Sequence, residues 1–347
     1  MKKIVLLSVF LIAFLISHAQ TVRYRNLVME GAGVKGFAYA GALQVLDSIG
    51  VLKDIQRVAG TSVGAIQGAL LAVGYSSNEI IELTAHIPLK RFNDGGWMLA
   101  GGISRLRNQF GWYKGEKIAK WMEELIAAKT GNGHITFSEL HALNNEKGYK
   151  DLYITGTDLT YQTLRVFSYE NYPDMRICDA VRISLSIPLY YRAVLMDDSG
   201  RIYKRQGNPQ QQLHVMVDGG VLSNYPIFLF DSARYVNNIY TEVKTRFENP
   251  ETLGLMMEMP EQIQYNRQQP GVYPFTIYTM NDYLRALYHT LIDKANPEAT
   301  HPGSMRRTIT INSMNLSGRV RKLPKKTIMA LVENGREGTR RFFTPVP

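Results

Sequence analysis

Apolar positions along the chain fall into two alternating spacings. Residues 26–30 form a short apolar run that leads into glycines, and residues 37–50 carry apolar side chains at helical spacing, which predicts a strand, a tight turn and a helix. The order then repeats, with a strand over 56–59, a turn over 60–64 and an apolar helix over 65–73. Two successive strand-to-helix turns predict a parallel sheet covered by helices, with ligands gathering where the strands end. Both turns then face one crevice. Further strands are expected over 152–157 and 164–168. A helix over 179–186 stops before Pro188, and a strand over 213–217 ends at Asp218. Residues 75–148, rich in glycine and tryptophan, read as a cap or insertion, and the core sheet is expected to end near residue 235. The remainder, 236–347, shows no linker. It is expected as an α+β extension packed on the 20–235 domain, with a helix over 281–294, a strand over 308–312 and a last helix from about 324 to 343.

The first residues change the picture of where the chain works. Lys2 and Lys3 precede an apolar run over 4–16, followed by Ser17, His18, Ala19 and Gln20. That order is the tripartite pattern of a secretory signal, and the run is short against the roughly 20 residues of a bilayer span. The expectation is a signal peptide over 1–19, cleaved after Ala19, and an exported mature chain. Cys178 is the sole cysteine, so no disulfide forms within the chain, and a chain of this length buries enough core to fold without one. The net charge is +10. The densest basic cluster, Arg319, Arg321, Lys322, Lys325 and Lys326, accompanies no nucleic-acid-binding motif; nucleic acid is not an expected partner, whereas contact with an anionic membrane surface is.

Three motifs carry candidate chemistry. Gly60, Thr61, Ser62, Val63 and Gly64 form G-x-S-x-G, a nucleophile elbow in which a serine sits on a strained turn between strand and helix; glycines supply clearance, and the helix start favours negative charge beside the hydroxyl. Gly31, Ala32, Gly33, Val34, Lys35 and Gly36 match G-x-G-x-x-G. A dinucleotide site would need an acidic residue at the end of the next strand, but Asp47 falls inside the expected helix and Asp54 precedes the strand. Beside a nucleophilic serine, the N–H groups of such a turn suit the oxyanion of a tetrahedral intermediate. Asp218, followed by Gly219 and Gly220, places a carboxylate at a strand end expected to meet the same crevice, and it is the candidate base. His289 and His301 follow in the order of a Ser-Asp-His triad, but the first lies in a helical run and the second beside Pro302 and Gly303 in a loop. The histidines are scattered, without HExxH or clustered Cys/His spacing, so no metal site is expected.

Together, Glu30 to Gly36, Gly60 to Gly64 and Asp218 to Gly220 resemble the signature of the patatin-like phospholipase family. The resemblance covers residues 26 to about 235. Thr155 to Asp158 and the Ser184 to Pro188 stretch agree with it, whereas Ala32 stands where many members have glycine. It implies a three-layer αβα fold on a mainly parallel sheet, a Ser62–Asp218 dyad without a catalytic histidine, an oxyanion turn over 31–36, and no cofactor. The implied substrates are lipid esters, cleaved by acyl transfer through Ser62. Lys35 is a possible contact for a substrate headgroup. Residues 249–255 are reminiscent of bacterial members that carry a C-terminal extension. Neither the lipid class nor the oligomeric state follows from the sequence.

Overall fold

The computed structural model describes residues 23–95, 100–204, 212–236, 247–268, 271–280, 301–316 and 323–344, with scattered positions between 282 and 298. The expected signal peptide, most of the helix expected over 281–294, His289, and the cations Arg319, Arg321 and Lys322 lie outside these residues.

Strands β1 (Asn26–Met29) and β2 (Arg57–Gly60) lie parallel, and each runs through a turn into a helix, α1 (Ala38–Ser48) after the first and α2 (Val63–Ala72) after the second. The expected repeat is thus present within one or two residues. The other strands are β3 (Gly111–Tyr113), β4 (Asp151–Asp158), β5 (Thr163–Phe167), β6 (Leu189–Tyr191), β7 (Val194–Met196), β8 (Ile202–Tyr203), β9 (His214–Asp218), β10 (Thr252–Glu258) and β11 (Thr308–Asn312). The main sheet runs β11-β10-β1-β2-β4-β9-β7-β8, with β5 paired to β4. Its first five strands are mutually parallel, and the β9-β7-β8 end is antiparallel. β3 and β6 form a separate two-stranded ladder.

The sheet does not end near residue 235. β10 lies directly against β1, from Asn26 opposite Thr252 to Met29 opposite Leu255, and β11 lies against β10. The physical reason is in β1 itself: its four residues are all buried, and such a strand needs a hydrogen-bonded neighbour on both edges. The later chain therefore completes the sheet. Its last helix, α7 (Lys325–Phe343), packs along α1 so closely that a methyl group on Gly41 would overlap the Val332 carbonyl, and one on Gly335 would overlap that of Ala38.

Residues 75–148 form the β2-to-β4 crossover. Helix α3 (Ser77–His86) packs on α1, where Ser77 donates to Asp47 and Gln44 to Asn78, helix α4 (Ala100–Gln109) precedes β3, and helix α5 (Glu116–Thr130) buries Ile118, Met122 and Ile126 in the main core. Much of the expected cap is therefore core. Helix α6 (Ile177–Ser184) packs beside α5 and over β4. This helical layer covers the face carrying Leu27, Met29, Val58 and Leu255. The opposite face, with Val28, Ala59, Tyr153 and Met256, is covered by the 3-10 turns of residues 219–235 through Tyr225, Ile227, Phe230 and Tyr235. The result is the expected layered α/β fold on a mostly parallel sheet, with the active-site motifs at one end.

Candidate active site

Ser62 stands between β2 and α2 with φ 53° and ψ −120°, a conformation rare for a residue with a side chain and costing on the order of 1–3 kcal/mol. The surrounding turn has no slack. A methyl group at Gly60 would overlap Gly64, and one at Gly64 would overlap the Met29 carbonyl at the end of β1, so both glycines of the elbow are steric requirements. Thr61 is buried and anchors the elbow through its hydroxyl, 2.6 Å from that of Thr155 on β4 and 3.1 Å from the Ser223 carbonyl. The Ser62 backbone N–H donates to Ser184 Oγ at 2.8 Å. Val63 begins α2, where an N–H has no acceptor within the helix.

Asp218 reaches the serine by a route the sequence did not predict. β9 is antiparallel to β4, so its end is not one of a row of parallel strand ends. β4 runs past the end of β2, which stops with Gly60 opposite Ile154, and the overhang pairs Gly156 with Asp218 and Asp158 with Met216. The Asp218 backbone N–H donates to the Ser186 carbonyl at 3.0 Å. Its side chain accepts from the Gly220 N–H at 2.8 Å, and the Ser62 hydroxyl lies near enough to favour its charged form. Gly219 fits against Thr155, where a methyl group would overlap its hydroxyl. Ser62 and Asp218 are 7% and 6% exposed, so the pair lies below the surface. Burial outweighs both and raises the Asp218 carboxyl to about 7, within range for a base near neutral pH.

The glycine-rich turn lies beside this pair. A methyl group on Gly31 would sit 3.3 Å from Ser62 Cβ, and Gly36 abuts Val63. The six residues of the turn are not equivalent. The Gly31 N–H is already taken, donating to the Asn224 carbonyl at 2.9 Å, and the Lys35 N–H donates to Ala32 at 3.2 Å. Gly33, at φ 55°, opens a 3-10 turn over Gly33–Phe37, whose first N–H groups, those of Gly33 and Val34, have no acceptor within the turn. Ala32, which precedes them, is buried. The Lys35 ammonium lies near enough to Glu30 to favour that residue's charged form.

Asn224 was not singled out in the sequence, and Glu30 only as the first residue of a motif and with no role, yet they hold the turn. Asn224 Nδ2 donates to the Gly31 carbonyl at 2.7 Å and to Glu30 Oε1 at 2.9 Å, while Glu30 Oε2 accepts from the Met257 N–H on β10 at 2.8 Å. Burial raises the Glu30 carboxyl to about 7, against the opposing charge of Lys35. Arg182 is a third unpredicted member. It is buried, and burial lowers its pKa to about 10. It donates to Ser186 Oγ at 2.5 Å and to the carbonyls of Lys114 and Arg192 at 2.7 and 3.0 Å, fixing the segment whose two serines receive the backbones of Ser62 and Asp218. Only the serines left a trace in the sequence, as the stretch before Pro188.

The described histidines are engaged elsewhere: His86 with the Glu82 carbonyl, His214 with Asp158 and Asp198, His141 with Asp151, His134 with Glu123, and His301 with Glu248. Asp158, the aspartate that ends β4, is held by Arg165 and His214 rather than facing Ser62.

Comparison with known proteins identifies the family and the fold. The patatin-like phospholipase family model matches residues 27–231. Uncharacterized protein R571 of Acanthamoeba polyphaga mimivirus is 34% identical over 208 residues, covering 60% of this chain and 61% of its own. Probable lipid hydrolase 463L of Invertebrate iridescent virus 6 is 29% identical over 209 residues, covering 59% and 62%. The chain thus spans about three fifths of the length of these relatives. Among solved structures, VipD from Legionella pneumophila shares the fold with a TM-score of 0.55 at 17% identity, over 92% of this chain and 66% of that one. With a family model covering more than half of its length, and its three motifs gathered at one crevice, the chain belongs to the patatin-like phospholipase family.

Proposed function

We propose that the chain is a serine lipid acyl hydrolase in which Ser62 is the nucleophile and Asp218 its base. The observation that carries this reading is the dyad itself. A serine held at φ 53° has its hydroxyl beside a buried carboxyl raised to about 7. Asp218 takes the Ser62 proton as the hydroxyl oxygen attacks the ester carbonyl. The oxyanion that forms is received by the N–H groups of Ala32, Gly33 and Val34, with Val63 at the start of α2, and the helix end favours its charge. Collapse expels the alcohol, which regains the proton from Asp218 and leaves an acyl group on Ser62. Water then gives a proton to Asp218 and attacks the acyl carbon; collapse breaks the bond to Ser62, whose oxygen regains the proton from Asp218, and releases the fatty acid.

The acyl chain has apolar surface close at hand, since Val221 and Leu222 directly follow the Asp218-Gly219-Gly220 turn and are each 37% exposed. The relative described as a probable lipid hydrolase supports lipid esters as the substrate class. Export after cleavage near Ala19 is part of the same proposal. The test is labelling of the purified chain and of Ser62→Ala with a fluorophosphonate, followed by fatty acid release from mixed phospholipid vesicles. Labelling and release that vanish together in the variant are expected. Absence of labelling in the folded parent chain would overturn the reading in favour of a silent binding protein on the same fold.

A further inference from the structure

At the rim of the crevice the chain exposes apolar side chains that the acyl transfer does not use. α4 rests on Trp112 through Gly102, where an added Cβ would lie 2.7 Å from the indole, and Arg105 Nε donates to the Trp112 carbonyl at 2.9 Å. Away from that contact, Ile103 and Leu106 are 59% and 36% exposed, and Phe110, just beyond the helix, is 53% exposed. The next residue, Gly111, pairs with Leu189 across the β3–β6 ladder, and Leu189 is 68% exposed. Phe110 and Leu189 share a second peculiarity. Both hold a left-handed φ, 60° and 66°, in which a bulky side chain is strained. Two strained, exposed apolar residues meeting at one end of a short ladder form a patch, unlike the single exposed residues that any surface carries.

The patch has a definite place and a definite charge. Leu189 lies just beyond Ser186, whose carbonyl receives the Asp218 N–H, so the patch borders the way to the dyad. The Tyr190 hydroxyl donates to Asn93 Oδ1 at 2.7 Å, which brings residues 87–92 alongside. Lys90 and Arg91 there, and Arg107 on α4, are exposed and in no ion pair among the described residues. Lys90 and Arg91 also flank a cleft of about 490 Å³ walled by Ile87, Leu89, Leu323 and Ile328. Exposed apolar side chains with cations on the same helix and on the neighbouring segment complement the surface of an anionic bilayer, with acyl chains below and phosphates above.

We propose that this rim docks the chain on an anionic lipid bilayer. Ile103, Leu106, Phe110 and Leu189 enter the acyl region, while Lys90, Arg91 and Arg107 meet headgroup phosphates. The proposal takes its purpose from the lipid hydrolase reading, and its test is independent of turnover. The full chain carrying Ser62→Ala is sedimented with vesicles of phosphatidylcholine alone and of phosphatidylcholine mixed equally with phosphatidylglycerol. Binding to the mixed vesicles is expected. Phe110→Ser with Leu189→Ser lowers the partition coefficient at least about tenfold, since two large apolar side chains no longer leave water. Lys90→Gln with Arg91→Gln lowers binding to mixed vesicles about fivefold per cation removed and leaves neutral vesicles unaffected. Ile49→Ser, an exposed apolar site at the far end of α1, changes nothing and controls for a general loss of surface hydrophobicity. No binding to either vesicle, or equal binding by the Phe110 and Leu189 serine variant, overturns the proposal. Self-association without lipid that this variant abolishes also overturns it, because a second copy then covers the rim. Failure of fluorophosphonate labelling would sink the hydrolase reading while leaving these partition values standing.

Discussion

Two buried carboxyls sit at opposite sides of the crevice, and their environments differ less than their roles. Glu30 follows β1 and Asp218 ends β9, and burial raises both to about 7. Glu30 spends its two oxygens on Asn224 Nδ2 and the Met257 N–H, groups that stay in place. Asp218 accepts one backbone N–H and has the Ser62 hydroxyl as its neighbour, a group that can leave its proton behind. A raised pKa therefore does not identify the base here. What separates the two residues is whether a neighbouring donor is itself a reacting atom.

Substitutions can break or sharpen that contrast. Ser62→Ala removes the reacting atom and should lower fatty acid release by at least about 10⁴-fold. Asp218→Asn keeps the acceptor for the Gly220 N–H but not the base; turnover should fall about 10³- to 10⁴-fold, and whatever activity remains should lose its dependence on pH near 7. In the parent chain kcat/KM should rise with pH through about 7, because the base acts only when deprotonated. Asn224→Ala frees the Gly31 turn from the Asp218 side of the crevice and should cost about 10²-fold in kcat, the scale of an impaired oxyanion site, with a smaller change in KM. Glu30→Gln should have the least effect, less than about tenfold, with the pH limb unmoved. An altered limb in Glu30→Gln and an intact one in Asp218→Asn would reverse the two roles.

Stability gives a second comparison. A carboxyl whose pKa is raised on folding binds its proton more tightly in the native state, so its favourable contribution is complete below about 4 and is lost as pH rises through about 7. Asp218→Asn and Glu30→Gln should therefore gain on the parent chain in melting temperature as pH rises from 5 to 8. Thermal melts across that range check the sign, and a gap that stays constant instead would mean that neither carboxyl is protonated at pH 5.

Much of the site was legible because its demands are local. The glycines at 60 and 64 are required by contacts within the elbow and with the adjoining end of β1, and Ser62, Asp218 and the turn over 31–36 follow from short motifs. What the sequence concealed depends on chain segments far apart. Nothing near Asn224 announces a bond to Glu30, and nothing in the Ser184 to Pro188 stretch announces that one serine would receive the Ser62 N–H. β10 was missed because Thr252–Glu258 offers two methionines and a glycine in place of β-branched residues; Gly254 is there because a side chain would overlap the Tyr225 hydroxyl. The antiparallel course of β9 was missed for a related reason, since strand direction is set by pairing and leaves no mark on a five-residue run.

The pairing of β1 with β10 also sets a schedule for biosynthesis. A ribosome that has made Asn26 must add everything up to Thr252 before the open edge of β1 can close, roughly 10 to 45 s at ordinary elongation rates. Through that interval an apolar strand built for the centre of a sheet has one side unsatisfied, which is the condition under which nascent chains aggregate or engage chaperones. A message cut short after residue 235 would encode every catalytic motif and still yield insoluble protein.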